Sequence, residues 1–172
     1  MREVINEHTS VLGDSTLTVY CGWSNAIAGQ LVALSQEDEI RRYTPKDASS
    51  RFATVETAND WYRAKRHVVY ALMNNSSEIG GLFWLSYEPR LELAADYTIG
   101  IRMYELLRGK RLAGAFFEAA HADFRTQNGY RGNFWLITDA DNERARQFYA
   151  KHGYKEKVNE HDGRVLMVRS DI

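Results

Sequence analysis

The stretch Leu106–Ala120, "LLRGKRLAGAFFEAA", sets Arg108, Gly109, Lys110 and Arg111 directly ahead of an amphipathic run with helical spacing. Helix N-termini carry unpaired N–H groups and the positive end of the macrodipole, so they suit anions. Basic residues at such a start oppose the dipole unless an anion is present. The spacing predicts a helix over about 110–127, with Leu112, Phe116, Ala119, Ala120 and Phe124 as its core stripe. Ahead of it, "DYTIGIRM" (96–103) reads as a strand. Alternation puts Asp96, Thr98, Gly100 and Arg102 on one face and Tyr97, Ile99, Ile101 and Met103 on the apolar other. "NFWLITD" (133–139) is the next strand, so the stretch lies at the centre of a βαβ crossover.

Outward from that unit the pattern stays α/β. "TLTVYCG" (16–22) reads as a strand, "NAIAGQLVALS" (25–35) and "TVETANDWYRAKR" (54–66) as helices, and the polar, Pro45-broken segment between them as a helix end plus loop. "HVVYALM" (67–73) and "IGGLFWLSY" (79–87) form a hairpin across "NNSSE". "NERARQFYAKH" (142–152) is a helix with Asp141 as the expected N-cap and Gly153 as its stop. "YKEKV" and "RVLMVRS" close the chain as a hairpin with an Asp162-Gly163 turn. The fold class is a mixed, mostly antiparallel central sheet flanked by helices, expected to be one domain over 1–172.

The composition bounds the function. A formal net charge of −1 gives no global field toward nucleic acid or an anionic membrane. Cys21 is the only cysteine, which excludes a disulfide framework, and the five histidines show no metal-ligand spacing. "MREVINEHTS" lacks a secretory apolar stretch, and no apolar run reaches the roughly 20 residues of a bilayer span. A cytoplasmic protein is expected.

The anion invites a phosphate motif, but the nucleotide P-loop fails. No glycine stands five residues before Gly109, and Arg111 occupies the place of the magnesium-binding Ser or Thr. "RGKRLAGAFFEAA" instead resembles the acetyl-CoA pyrophosphate segment of the GNAT superfamily of N-acetyltransferases, Arg/Gln-x-x-Gly-x-Gly/Ala. Arg108 and Ala113 match, while Arg111 replaces the middle glycine. "NERARQFYAKHGY" (142–154) is similar to the family's other signature, through Asn142, Ala145, Tyr149, Gly153 and Tyr154. The two segments stand in the family's order and spacing. The element order agrees over roughly 16–169.

The resemblance implies an acetyl-CoA-dependent transfer to a primary amine on a small molecule or peptide. Arg108, Gly109, Lys110, Arg111, Ala113 and Gly114 become the expected pyrophosphate cradle. Ile101 and Met103 offer backbone groups to the pantetheine arm, and Asn142 bonds it, although Asn is also a common helix cap. Tyr149 is the candidate acid for the coenzyme A thiolate, on a stripe with Ala145, Phe148 and His152 that equally suits core packing. The family's usual glutamate position on the central strand holds Thr98 here. Asp96, on the same face, is therefore the first candidate base and Glu92 the second; both also read as solvated carboxylates. Arg111 is expected to present its N–H with helical dihedrals, the alternative being that it obstructs the loop and weakens or alters the cofactor site.

Further features stay open. Glu37, Asp38, Glu39, Glu56 and Asp60 suit attraction of a cationic amine or plain solvated surface. Trp61, Tyr62, Trp84 and Tyr87 suit an acceptor pocket, with Trp61 and Trp84 favoured as core. His161 beside Asp162 suits the acceptor border or turn chemistry. Homodimers are frequent in the family. The alternative to an enzyme is a non-catalytic acyl-CoA-binding sensor or interaction module, which Thr98 and Arg111 permit.

Overall fold

The computed structural model describes residues 1–13, 16–159 and 163–170. In chain order the elements are β1 (Arg2–Glu3), α1 (Glu7–Ser10), β2 (Leu17–Cys21), α2 (Asn25–Leu34), α3 (Asp38–Tyr43), a π-helical turn (Asp47–Arg51) and α4 (Val55–Ala64). Then come β3 (Val68–Asn74), β4 (Ile79–Arg90), a 3-10 turn (Leu91–Leu93), β5 (Ala95–Met103), α5 (Ala113–Asn128), β6 (Asn133–Asp139), α6 (Glu143–Lys151), β7 (Tyr154–Asn159) and β8 (Arg164–Arg169). The strands make one sheet in the order β1-β2-β3-β4-β5-β6-β8-β7. Among the described residues only β5 and β6 pair in parallel, across the α5 crossover. The mixed, mostly antiparallel α/β architecture expected from the sequence is the one found.

Strand alternation on β5 sorts the two cores. Tyr97, Ile99, Ile101 and Met103 face Phe83, Phe116, Phe117, Phe124 and Phe134 beneath α5. The opposite side of the sheet buries Leu82 and Trp84 against Ile27, Leu31, Phe52 and Ala58 from the α2–α4 layer. Each fully buried side chain of this size contributes about 1.5–3 kcal/mol.

The sheet then opens. β5 and β6 share only the pairs Ala95–Asn133, Tyr97–Phe134 and Thr98–Trp135. Beyond them β5 stays with β4 as far as Met103, while β6 follows β8 to Asp139. A wedge forms between the diverging strands. Tyr104 donates its N–H to Gly80 O, so the alternating ladder turns residues 100 and 102 toward β4. Ile101 and Met103 therefore turn their backbone groups into the wedge.

Several local expectations are corrected. The α5 helix starts at Ala113, not near 110, because the preceding turn takes left-handed dihedrals. Asn142, not Asp141, caps α6: its side-chain oxygen accepts the Ala145 N–H at 3.1 Å. The 36–50 segment is not mainly loop but carries α3 and the π-helical turn. β4 extends past the expected end at Tyr87 as far as Arg90, which pairs with Ala95 across the 3-10 turn. A short N-terminal strand, unforeseen, adds β1 to β2. Gly153 does stop α6, at φ +82°. The Asp162 half of the last turn, and His161, lie outside the described residues. No helix among the described residues is long and apolar enough to cross a membrane.

Candidate active site

The turn after β5 is built by Tyr104, whose carbonyl accepts the N–H groups of Leu107 and Arg108. Gly109 follows at φ +79° and Arg111 at φ +61°. Arg111 thus keeps the left-handed backbone that its glycine counterpart would adopt freely, at about 1–2 kcal/mol for a residue with a β-carbon. Its expected helical dihedrals are not found. The next residue, Leu112, is the N-cap of α5 and has no side-chain acceptor, and the first helical turn contains no acidic residue. The leading N–H groups of α5 are left for an anion. Lys110 and Arg111 are exposed beside them.

From this turn the wedge runs into a cavity of about 940 Å³. Ile101, Arg102 and Met103 form one bank; Ile137, Thr138, Asp139 and the first turns of α6 form the other; Ile40, Tyr43 and Thr44 cover it from α3. Backbone groups along one edge and uncapped N–H groups at the mouth fit a long ligand with an amide-bearing arm and a diphosphate, the form of coenzyme A.

The structure brings half of the sequence-derived candidates to this cavity. Ile101, Met103, Arg108, Ala113, Asn142 and Tyr149 line it, while Gly109, Lys110 and Arg111 stay on the turn outside its lining. Asn142 both lines it and caps α6. Tyr149 packs against Phe117, Phe148 and Tyr154, so it closes the core and borders the cavity together. Burial raises its phenol pKa above the ordinary value, with the Arg102 charge pulling the other way. At neutral pH the phenol keeps its proton. Gly114 does not line the cavity. A β-carbon there would stand 3.1 Å from the His152 ring, so glycine allows α5 and α6 to meet closely. His152 is held on Glu118 at 2.7 Å, and Arg169 reaches the same carboxylate at 3.1 Å.

Other candidates stand elsewhere. Glu92 is exposed on the 3-10 turn, and Asp96 is half-buried near the start of β5 with its N–H donated to the Tyr130 hydroxyl at 3.0 Å. Neither lines the cavity. Arg108 lines the cavity but is already paired, with Glu37 at 2.7 Å and Glu39 at 2.9 Å, and donates to Met103 O at 3.2 Å. Glu39 also receives Arg144 from α6 at 3.2 Å. Asp60 pairs with Arg63 at 3.2 Å. Trp84 is buried, and Trp61 packs between Trp23, Phe52, His67 and Trp84, as a core reading requires.

One group escaped sequence reasoning. Asp47, 1% exposed, receives Arg102 Nε at 2.7 Å and also pairs with Arg51. Arg51 and Arg102 both lie against the Trp84 ring, at 5.4 and 4.9 Å. Arg102 adds a bond from Nη1 to Ile101 O at 3.0 Å, which brings its guanidinium to the wedge edge of β5. The alternation on β5 placed Arg102 on the correct face, but nothing in the sequence ties it to Asp47.

Comparison with known proteins agrees with this geometry. The acetyltransferase (GNAT) family model matches residues 32–154. No curated protein sequence matches. Among solved structures, AAC(6')-Ib in complex with paromomycin and acetyl-CoA superposes with a TM-score of 0.71 at 16% identity, covering 91% of this chain and 94% of that one. Spermidine N-acetyltransferase from Vibrio cholerae, in complex with CoA and spermine, superposes with a TM-score of 0.69 at 15% identity, over 90% and 94% of the two chains. The ribosomal-protein-S5-alanine acetyltransferase of Vibrio fischeri gives 0.69 at 12% identity, over 91% and 94%. At these identities the likeness shows a shared fold. The family match spans well over half of the sequence, and on that ground the chain belongs to the GNAT acetyltransferase family.

Proposed function

We propose that this protein is an acetyl-CoA-dependent N-acetyltransferase acting on a primary amine. The observation that carries the reading is the uncapped start of α5, behind the left-handed Gly109 and Arg111, opening onto the wedge that Tyr149 borders. The N–H groups at 113–115, with Lys110 and Arg111, hold the diphosphate. The backbone of Ile101 and Met103 and the side chain of Asn142 hold the pantetheine arm. The bound thioester supplies an activated acetyl carbonyl.

The chain's own tasks are then to deprotonate the amine and to protonate the leaving sulfur. Tyr149, neutral at working pH, donates its hydroxyl proton to that sulfur. Asp96 is the first choice of base and Glu92 the second. Their places outside the cavity wall require a bridging water in either case. The position of these carboxylates, with Thr98 on the strand, is also what favours the second reading, a module that binds acyl-CoA without turnover.

Two measurements decide. Acetyl-CoA should raise the melting temperature by binding the folded state, and Gly109→Pro, which cannot take φ +79°, should abolish the rise. Thiol release should then follow addition of amines from a panel of amino acids, peptides, polyamines and aminoglycosides. A full rise retained by Gly109→Pro overturns the cradle; binding without thiol release for any amine selects the module.

A further inference from the structure

We infer that the amine acceptor carries a carboxylate close to its amino group, and that Arg102 is the residue that reads it. The inference rests on the acetyltransferase reading and concerns the acceptor side of the same cavity. Asp47 is a single, fully buried carboxylate shared by two guanidiniums, Arg51 and Arg102. One positive charge is left over in that set, and Arg102, only 16% exposed, is the member that lines the cavity.

Its hydrogen bonds fix how it is presented. Nε and Nη2 face Asp47, at 2.7 and 3.4 Å, and Nη1 donates to Ile101 O at 3.0 Å. A guanidinium has five N–H groups, so one remains on each of Nη1 and Nη2. Those two form the end-on fork that matches the two oxygens of a carboxylate. Trp84 beneath the guanidinium and Asp47 behind it hold the fork rigid. Tyr149 lines the same cavity as Arg102. An amine delivered beside Tyr149 thus shares that space with the fork that would take a neighbouring carboxylate.

Several of the surrounding carboxylates are already paired. Glu37 and Glu39 are engaged by Arg108 and Arg144, and Asp60 by Arg63. Asp139, Asp141 and Glu143 lie on the far bank, where β6 leads into α6. A polycation entering beside β5 meets Arg102.

The test uses matched pairs differing only in the carboxylate: L-leucine with isoamylamine, L-phenylalanine with phenethylamine, and L-lysine with cadaverine, plus spermidine. Each is titrated calorimetrically into the protein saturated with CoA, and each is assayed for thiol release with acetyl-CoA. At least one carboxylate-bearing member should exceed its partner by about tenfold or more in affinity and in kcat/KM. In Arg102→Gln that ratio should fall toward one. Arg102→Lys keeps the charge beside Asp47 but loses the fork, so it should lower the ratio while preserving the CoA-induced melting shift. Equal ratios in wild type and both variants, or a preference for spermidine and the decarboxylated amines, overturns the inference. Thiol release without a carboxylate preference defeats this inference alone. Carboxylate-dependent binding without thiol release defeats the transferase reading and leaves only the recognition of a carboxylate by Arg102 standing.

Discussion

Arg108 meets Glu39 at 2.9 Å, and the same carboxylate receives Arg144 from the far bank at 3.2 Å. The turn after β5, α3 and α6 are tied together at the cavity mouth by this one side chain. A diphosphate arriving at the start of α5 competes with Glu39 for both guanidiniums. Glu39→Gln removes the competitor and a repelling charge, and should tighten CoA binding by about two- to fivefold, the scale of a partly exposed ion pair. Calorimetry at low and high salt checks it. The gain should shrink as salt rises. Weaker binding would instead mean that Glu39 is needed to hold Arg108 in place.

Arg111 gives a second prediction, on stability. Its φ of +61° is the left-handed region, where a β-carbon is strained and glycine is not. Arg111→Gly and Arg111→Ala remove the same charge, so their difference isolates the backbone. The glycine variant should be more stable than the alanine variant by about 1 kcal/mol in denaturant unfolding. Equal stabilities would place this turn in a different conformation.

Tyr149→Phe tests the acid. The ring packing against Phe117, Phe148 and Tyr154 is retained, so melting temperature and CoA affinity should hardly move. The turnover number should fall by about a hundredfold, the lower end of what a positioned acid contributes. An unchanged rate removes Tyr149 from the chemistry and leaves it as a packing residue.

His67 sets a pH dependence of folding. Its ring is 6% exposed, stacked on Trp61 at 4.1 Å, with Nδ1 on Ser86 Oγ at 2.7 Å and Nε2 buried without a partner. Burial, with the nearby Arg51 charge, pushes its pKa down from 6.5 to about 4. The unfolded chain therefore takes up a proton near pH 6.5 that the folded protein refuses until about pH 4. Stability is full above 6.5 and falls as the pH drops through that window, by about 3 kcal/mol. Equilibrium unfolding of wild type and His67→Gln across pH 7.5 to 4 should show a shallower slope in the variant.

The parts legible in the sequence are those whose information is local. The alternation of 96–103, the helical stripe through Phe116, Ala120 and Phe124, and the 142–154 signature all predict what is found, because neighbours in sequence decide them. α3 was not legible. It is six residues long with one buried side chain, Ile40, and Glu37 and Glu39, at its start, are held by Arg108 and Arg144 rather than by periodicity. The Asp47–Arg102 pair spans 55 residues, and the Arg2–Asp123 pair that secures the N-terminal strand spans 121. No spacing rule reaches that far. At Arg111 the local rule fails for a different reason: residue type favours helical dihedrals there, and the turn made by Tyr104 and Gly109 overrides it.

The parting of β5 from β6 has a thermodynamic side. A sheet interior normally pairs every N–H and C=O with a neighbouring strand, yet the β5–β6 ladder stops at Thr98 and Trp135, and the Ile101 and Met103 carbonyls beyond it take guanidinium donors from Arg102 and Arg108. On the proposed function, the pantetheine arm would lie along this opening as a ninth strand of foreign chemistry. Amide hydrogens of Ile101 and Met103 should exchange with solvent quickly in the free protein although their neighbours at 100 and 102 are slow. Saturation with CoA should bring all four to a common rate, so that ligand binding is recorded as completion of the fold.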